Sequence, residues 1–209
     1  MHAVELVSDG GTVAEHSFRH WPPWLAVGDP GVVATSEVAA LPRAFGGPGS
    51  GPGQFRTPSG IAVDGRGRVW VADTGNDRVQ AFTRDGALVR VLSGRLKAPE
   101  GVAVDAAGNV YVADTGNRRV VQFSWWGGFV REFGGFGLPR AVALDPAGRL
   151  LVDDAGERRI ARFDTRTGEA LPDTTEPISS PRDVADDGLG GVWVAETGNH
   201  RIVHFGASA

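Results

Sequence analysis

Side chains able to do covalent or redox chemistry are scarce in this chain. Its 209 residues include no cysteine, one methionine, one tyrosine and five histidines, which removes disulfides, thiolate metal sites, iron–sulfur clusters and cysteine nucleophiles together. No Gly-x-Ser-x-Gly elbow, phosphate-binding loop or dinucleotide fingerprint is present. The histidines are His2, His16, His20, His200 and His204, all close to the chain ends. Three of them, His16, His20 and His200, form the ligand set of an open zinc site if the ends meet. No His-x-Glu-x-x-His spacing accompanies them.

Arginine is the commoner resource, with twenty against a single lysine. Its informative copies follow a recurring pattern. After a proline that opens each of five similar segments stand Pro23, Ser59, Glu100, Arg140 and Arg182, followed by Trp24, Gly60, Gly101, Ala141 and Asp183. A second variable position carries Asp77, Arg118, Arg158 and His200. A group repeated in every segment cannot single out one site, so these varying positions are the candidate binding set: Trp24, Glu100, Arg118, Arg140, Arg158, Arg182 and Asp183. Arg118, Arg140, Arg158 and Arg182 on one face make a basic patch suited to an anion, an acidic peptide or RNA, with Trp24 as an apolar wall. The competing reading is solvated surface arginine. Trp125 and Trp126 form a separate pair of indoles suited to a protein contact, or to folding over a neighbouring segment.

The elements that must position these residues come from an internal repeat. PSGIAVDGRGRVWVADTGNDRVQAF at 58–82 matches PEGVAVDAAGNVYVADTGNRRVVQF at 99–123, weaker copies run over 139–163 and 181–205, and a degenerate one opens at Pro22. Starts at 22, 58, 99, 139 and 181 give spacings of 36, 41, 40 and 42 residues. Within a unit, short apolar runs alternate with Gly-containing turns, predicting a four-stranded antiparallel meander. Units of this size must stack on neighbours to bury both faces, so the sequence predicts an all-β propeller. Five blades are favoured; six would need about 240 residues at about 40 per blade, and an open or oligomeric ring is the other alternative. The whole of 1–209 reads as one domain, with 1–21 a closing hairpin. The last unit stops after three strands at Phe205, and the stretch 4–16 resembles the hairpin at 80–92, so one of its strands is expected to complete that blade and cover its edge.

Repeated charges look structural. Asp64, Asp105, Asp145 and Asp187 end first strands before turns, where a carboxylate accepts turn N–H groups. Asp73, Asp114, Asp154 and Glu196 precede Arg78, Arg119, Arg159 and Arg201 by five residues, as blade-locking ion pairs. Tyr111, at a position shared with Trp70, Leu151 and Trp193, reads as core. The third unit departs most, with Asp153 for Ala, Ala155 for Thr and Glu157 for Asn.

The runs GIAVD with VWVADTGNDRV at 60–79 and GVAVD with VYVADTGNRRV at 101–120 closely resemble the NHL repeat family of propellers, from about residue 45 to the C-terminus. The resemblance implies the propeller fold. It also implies functions ranging from protein-binding scaffolds and RNA-binding domains to extracellular sensors and zinc-dependent lyases such as the peptide-amidating enzyme, so it fixes fold better than function.

Composition agrees with that architecture. Thirty-one glycines and 13 prolines make long helices unfavourable, and a formal charge of -4 argues against a general affinity for nucleic acid or anionic membranes. The first residues carry neither Lys, Arg nor an apolar run, and no segment approaches a membrane span, so a cytoplasmic protein is expected. The leading expectation is a non-enzymatic binding propeller without cofactor, whose partner is a protein or an anionic small ligand, ahead of RNA. The alternative is a small zinc-dependent lyase-like enzyme at the channel mouth or blade seam.

Overall fold

The computed structural model describes residues 4–8, 11–16, 44–174 and 177–206. Two compact units, 1–43 and 44–209, divide the chain. In the first, β1 (Val4–Ser8) and β2 (Gly11–His16) pair antiparallel as a hairpin. The fifth repeat expected at Pro22, with Trp24 and His20, lies outside the described residues.

The second unit is built from four antiparallel sheets. The first comprises β3 (Pro58–Val63), β4 (Val69–Asp73), β5 (Arg78–Phe82) and β6 (Leu88–Leu92). The second comprises β7 (Val102–Val104), β8 (Val110–Asp114), β9 (Arg119–Phe123) and β10 (Phe129–Phe133). Next come β11 (Pro139–Leu144), β12 (Arg149–Asp154), β13 (Arg159–Asp164) and the two-residue β14 (Ala170–Leu171). The last sheet has three strands, β15 (Pro181–Asp186), β16 (Val192–Glu196) and β17 (Arg201–Phe205). Each sheet is a simple meander in chain order, as the repeat demands. The only helices among the described residues are single 3₁₀ turns at Thr74–Asn76, Thr115–Asn117 and Thr197–Asn199.

Three apolar layers hold the sheets together. Trp70, Val79 and Leu92 meet Val102, Val112 and Phe123 between the first and second sheets. Tyr111 and Phe133 meet Val142, Leu150 and Phe163 between the second and third, and Leu151 and Ile160 meet Val184, Val192 and Val194 between the third and fourth. Burying each such side chain contributes about 1.5–3 kcal/mol, so a unit is stable through its neighbours. Tyr111 is core, as expected; burial, ahead of its neighbours' smaller influences, pushes its phenol up to about 12.

Among the described residues, no strand pairs with the outer edge of β17. β17 is the edge of a three-stranded sheet, β1 and β2 pair with each other, and the four sheets stay unclosed. A hairpin satisfies its inner backbone groups by itself, which the alignment of 4–16 with a third-and-fourth-strand hairpin already allowed.

The recurrent acid and base lock each sheet to the segment that enters it. Asp73 accepts from Arg78 Nε at 2.7 Å and from the Arg56 backbone N–H at 2.7 Å, and Arg78 itself donates to the carbonyls of Ser50, Gly51 and Gln54. Asp114 binds Arg119 at 2.8 Å and the Lys97 N–H at 2.6 Å; Glu196 binds Arg201 and the Ser179 N–H. Asn76, Asn117 and Asn199 add a side-chain donor to the same carboxylates. Burial opposes ionisation of Glu196, yet these donors, Arg201 foremost, hold it below the usual carboxylate range.

The third unit keeps the hold on its entering segment, with Asp154 accepting from the Gly137 and Leu138 N–H groups and Arg159 donating to the Gly135 carbonyl, but loses the hydrogen bond between acid and base for a chemical reason. Glu157 cannot donate as Asn does, and the 3₁₀ turn found in the other units is absent here. Arg159 Nε stands 3.7 Å from Asp154 without a hydrogen bond, and the guanidinium turns to Asp173 instead. Thr74 and Thr115 donate to the carbonyls of Pro99 and Pro139 at 2.7 and 2.6 Å, tying each sheet to the next; Ala155 has no hydroxyl with which to repeat this toward Pro181. The first-strand aspartates behave as expected: Asp64, Asp105, Asp145 and Asp187 accept turn N–H groups at 2.7–3.0 Å.

Candidate binding site

The first strands carry local irregularities that re-aim side chains. Register shifts occur between Pro58 and Ile61, Pro139 and Ala141, and Pro181 and Asp183. The residue after each proline therefore sits in a bulge, released from the alternation of the strand. Thr57, Ala98 and Ser180, just before Pro58, Pro99 and Pro181, have positive φ of 45°, 43° and 46°, so the chain turns sharply as it enters the strand. These devices bring Ser59, Glu100, Arg140 and Arg182, with Asp183, around one cavity of about 600 Å³ lined by the first strands of all four sheets. Glu100 and Arg140 are half-buried, whereas Ser59, Arg182 and Asp183 are exposed at its edge.

Four of the seven expected binding residues thus meet. Arg118 and Arg158 do not line the cavity. Each occupies the left-handed position after the turn that follows a second strand, with φ of 55° and 58°; they are exposed at the same end of the sheets, and Arg158 Nε donates to the Ile178 carbonyl at 3.2 Å. The position is set by backbone geometry: its counterpart Asp77 accepts the Ala98 N–H at 2.7 Å. Trp24 lies outside the described residues. The cavity's charge is consequently mixed, two guanidiniums against two carboxylates.

A further charged group lies next to the lining residues, at a position the sequence shows only as a departure from the repeat. Asp153 is 0% exposed, directly opposite Ala141 in the β11–β12 register, and neither carboxylate oxygen has a hydrogen-bond partner. Burial, opposed by Arg140 and reinforced by Asp154, Asp183 and Glu100, pushes its carboxyl up to about 7. The other units carry Ala72, Ala113 and Ala195 at this position. An acid at a position otherwise held by alanine was the available signal.

Trp125 and Trp126 are 46% and 57% exposed on the β9–β10 turn. They are also braced on the preceding sheet: the Arg66 guanidinium lies 5.5 Å from the Trp125 ring centroid, and Arg90 donates to the Trp126 carbonyl. Of the histidines, His16 falls on β2 and His20 outside the described residues, while His200 ends a 3₁₀ turn in the left-handed conformation. No cluster of three or more metal-ligating side chains occurs among the described residues. His204 stacks on Trp193 at 4.2 Å and bonds Asp187 at 2.8 Å, which holds the Asp187 carboxyl below its usual value. No described helix is long and apolar enough to cross a membrane.

The NHL repeat family model matches residues 55–82, 96–123 and 179–205. The altered third unit is not among these matches. NHL repeat-containing protein 3 of Homo sapiens is 51% identical over 37 residues, 18% of this chain and 11% of that protein. Protein lin-41 of Caenorhabditis elegans is 56% identical over 45 residues, 22% of this chain and 4% of that protein, and the human E3 ubiquitin-protein ligase TRIM32 is 45% identical over 49 residues, 23% and 8%. The chain thus matches about a tenth or less of these relatives' lengths. Among solved structures, a nidogen/laminin complex aligns with a TM-score of 0.64 at 24% identity, over 73% of this chain and 60% of that one. A streptogramin B lyase aligns with a TM-score of 0.60 at 18% identity, over 73% and 55%. At these identities the structural likeness concerns fold.

Proposed function

We propose that this chain, with its NHL repeats, is a non-enzymatic binding module that receives a segment of a partner protein in the cavity between its first strands. The observation that carries the reading is the convergence of Glu100, Arg140, Arg182 and Asp183, contributed by three different sheets, on one cavity. The repeated charges are consumed by the locks, whereas these four vary from unit to unit and remain available. Mixed charge suits a polar protein segment better than a polyanion, so RNA and simple anions fall behind. The nidogen/laminin complex that shares this fold joins one protein to another, which supports the same direction by analogy. A zinc-dependent lyase remains the alternative, and stoichiometric zinc in protein purified without added metal would favour it.

Changing Arg140 and Arg182 to Ser, the residue at position 59, tests the reading on a partner that co-purifies with the chain. The exposed Arg182 should cost within about 0.5 kcal/mol to replace, whereas half-buried Arg140 is also the opposite charge nearest Asp153, so retention of the fold is checked by circular dichroism before binding is compared. Partner affinity should fall about tenfold or more, with a weaker dependence on salt. A folded double variant that binds as well as the parent would move the site to the Trp125–Trp126 turn.

Closure by the N-terminal segment belongs to the same proposal. Deleting residues 1–18 should raise aggregation or lower the melting temperature, since the β17 edge would lose its cover. A truncated chain as soluble and heat-resistant as the parent would remove that role.

A further inference from the structure

We infer that the inner end of the seam between the third and fourth sheets is a subsite for a primary carboxamide, such as an Asn or Gln side chain of the bound segment, which accepts from Arg140 and donates to Asp153. The inference rests on the proposal that the cavity binds a protein segment and names the chemistry one part of it recognises.

Two unsatisfied groups carry it. Asp153 is wholly buried with both oxygens lacking a partner, and Arg140 Nε is buried without one as well. Arg140 occupies the bulge between the Pro139–Asp154 and Ala141–Asp153 pairs, next in register to Asp153, yet no hydrogen bond satisfies either group. Buried polar groups are normally paired, so an orphan donor beside an orphan acceptor marks the place of a third group. Asp153 shares the sheet face of Ala141, a lining residue of the cavity, and Arg140 is itself a lining residue. An Arg side chain without a hydrogen bond at Nε is free to turn aside and admit the ligand.

The surroundings select the ligand's chemistry. Charged groups reach Asp153 from every side: Arg140 on β11, Asp154 beside it on β12, Asp183 on β15 and Glu100 ahead of β7, with Arg162 on the same face of β13. A ligand ammonium would face Arg140, and a ligand carboxylate would face Asp153, Asp183 and Glu100. A carboxamide offers one acceptor and two donors with no net charge. It meets both orphans and adds to neither repulsion.

Propionamide, propionate and propylammonium, titrated into isotopically labelled protein, separate these chemistries. A fragment this small binds at millimolar strength or weaker, which NMR shifts can follow. Propionamide should move the Arg140 Nε–H and Asp153 carboxyl resonances and bind at least fivefold more tightly than either ion. Its affinity should rise several-fold between pH 6 and pH 8, as the carboxylate that accepts its N–H groups ionises. Asp153→Ala, with a spectrum showing the fold retained, should abolish both the binding and the pH dependence. Equal affinity for the three probes, tighter binding of an ion, undiminished binding by Asp153→Ala, or no propionamide binding would each overturn the subsite. None of those results bears on the cavity as a whole, which fails separately if the Arg140, Arg182 double variant keeps full affinity for the partner protein.

Discussion

Replacing Asp73 by Ala should destabilise the protein by about 3–5 kcal/mol, the cost of breaking a buried ion pair by removing one partner. Asp73 is 0% exposed and accepts from the Arg56 N–H, Asn76, Arg78 and Gln80. Its loss leaves Arg78, only 9% exposed, as an uncompensated cation. It also frees the entering segment, which Arg78 holds by three carbonyls. Urea denaturation should show a lower midpoint with an unchanged slope. Arg159→Ala is the internal contrast: that arginine is 3.7 Å from Asp154 and partly exposed, so its removal should cost about 1 kcal/mol. Equal effects at the two sites would mean that the geometry of the lock does not matter.

Asp153→Ala should do the opposite at neutral and alkaline pH. An aspartate with an ordinary value of 3.8 that sits at about 7 in the fold releases its proton more readily when unfolded. Its contribution to stability is therefore fully present below about pH 3.8 and is lost as pH rises through about 7. At about 1.4 kcal/mol per unit, the difference amounts to a few kcal/mol. The Ala variant should be more stable than the parent at pH 8, and the gain should shrink toward pH 4. Carboxyls held low, such as Asp64, Asp164, Asp187 and Glu196, are common to both proteins and cancel in the comparison. Thermal melts from pH 4 to pH 8 measure this. A parent and variant with parallel curves would show that Asp153 is solvated or paired.

The sheet framework was legible because the repeat states it four times. Turn aspartates, lock pairs, the Tyr111 core position and strand boundaries each recur at fixed offsets, so an error in one copy is corrected by another. The same redundancy pointed to the variable residues after the prolines, and Glu100, Arg140, Arg182 and Asp183 do converge. Arg118 and Arg158 vary in the same way and lie at the same end of the sheets, so the repeat alone does not separate them from this set. The sequence does not show that a bulge turns one set inward, whereas a left-handed turn holds the other on the outside. Asp153 was visible as a departure but not as part of the site, since its meaning depends on burial between two sheets and on the absence of a partner. The closing edge is less legible for a related reason: similarity to a third-and-fourth-strand hairpin specifies the hairpin, not the edge on which it must pair.

Photo-crosslinking from inside the cavity tests the central claim most directly. A photoreactive residue at Ser59, which is exposed and lines the cavity, should join the chain to one defined segment of a partner protein identified by mass spectrometry. The adduct should vanish when Arg140 and Arg182 are changed to Ser, and the same reagent at Arg166, on the β13–β14 turn, should give none. A Ser59 adduct that survives the double substitution, or adducts formed only from the Trp126 turn, would contradict the cavity as the binding site.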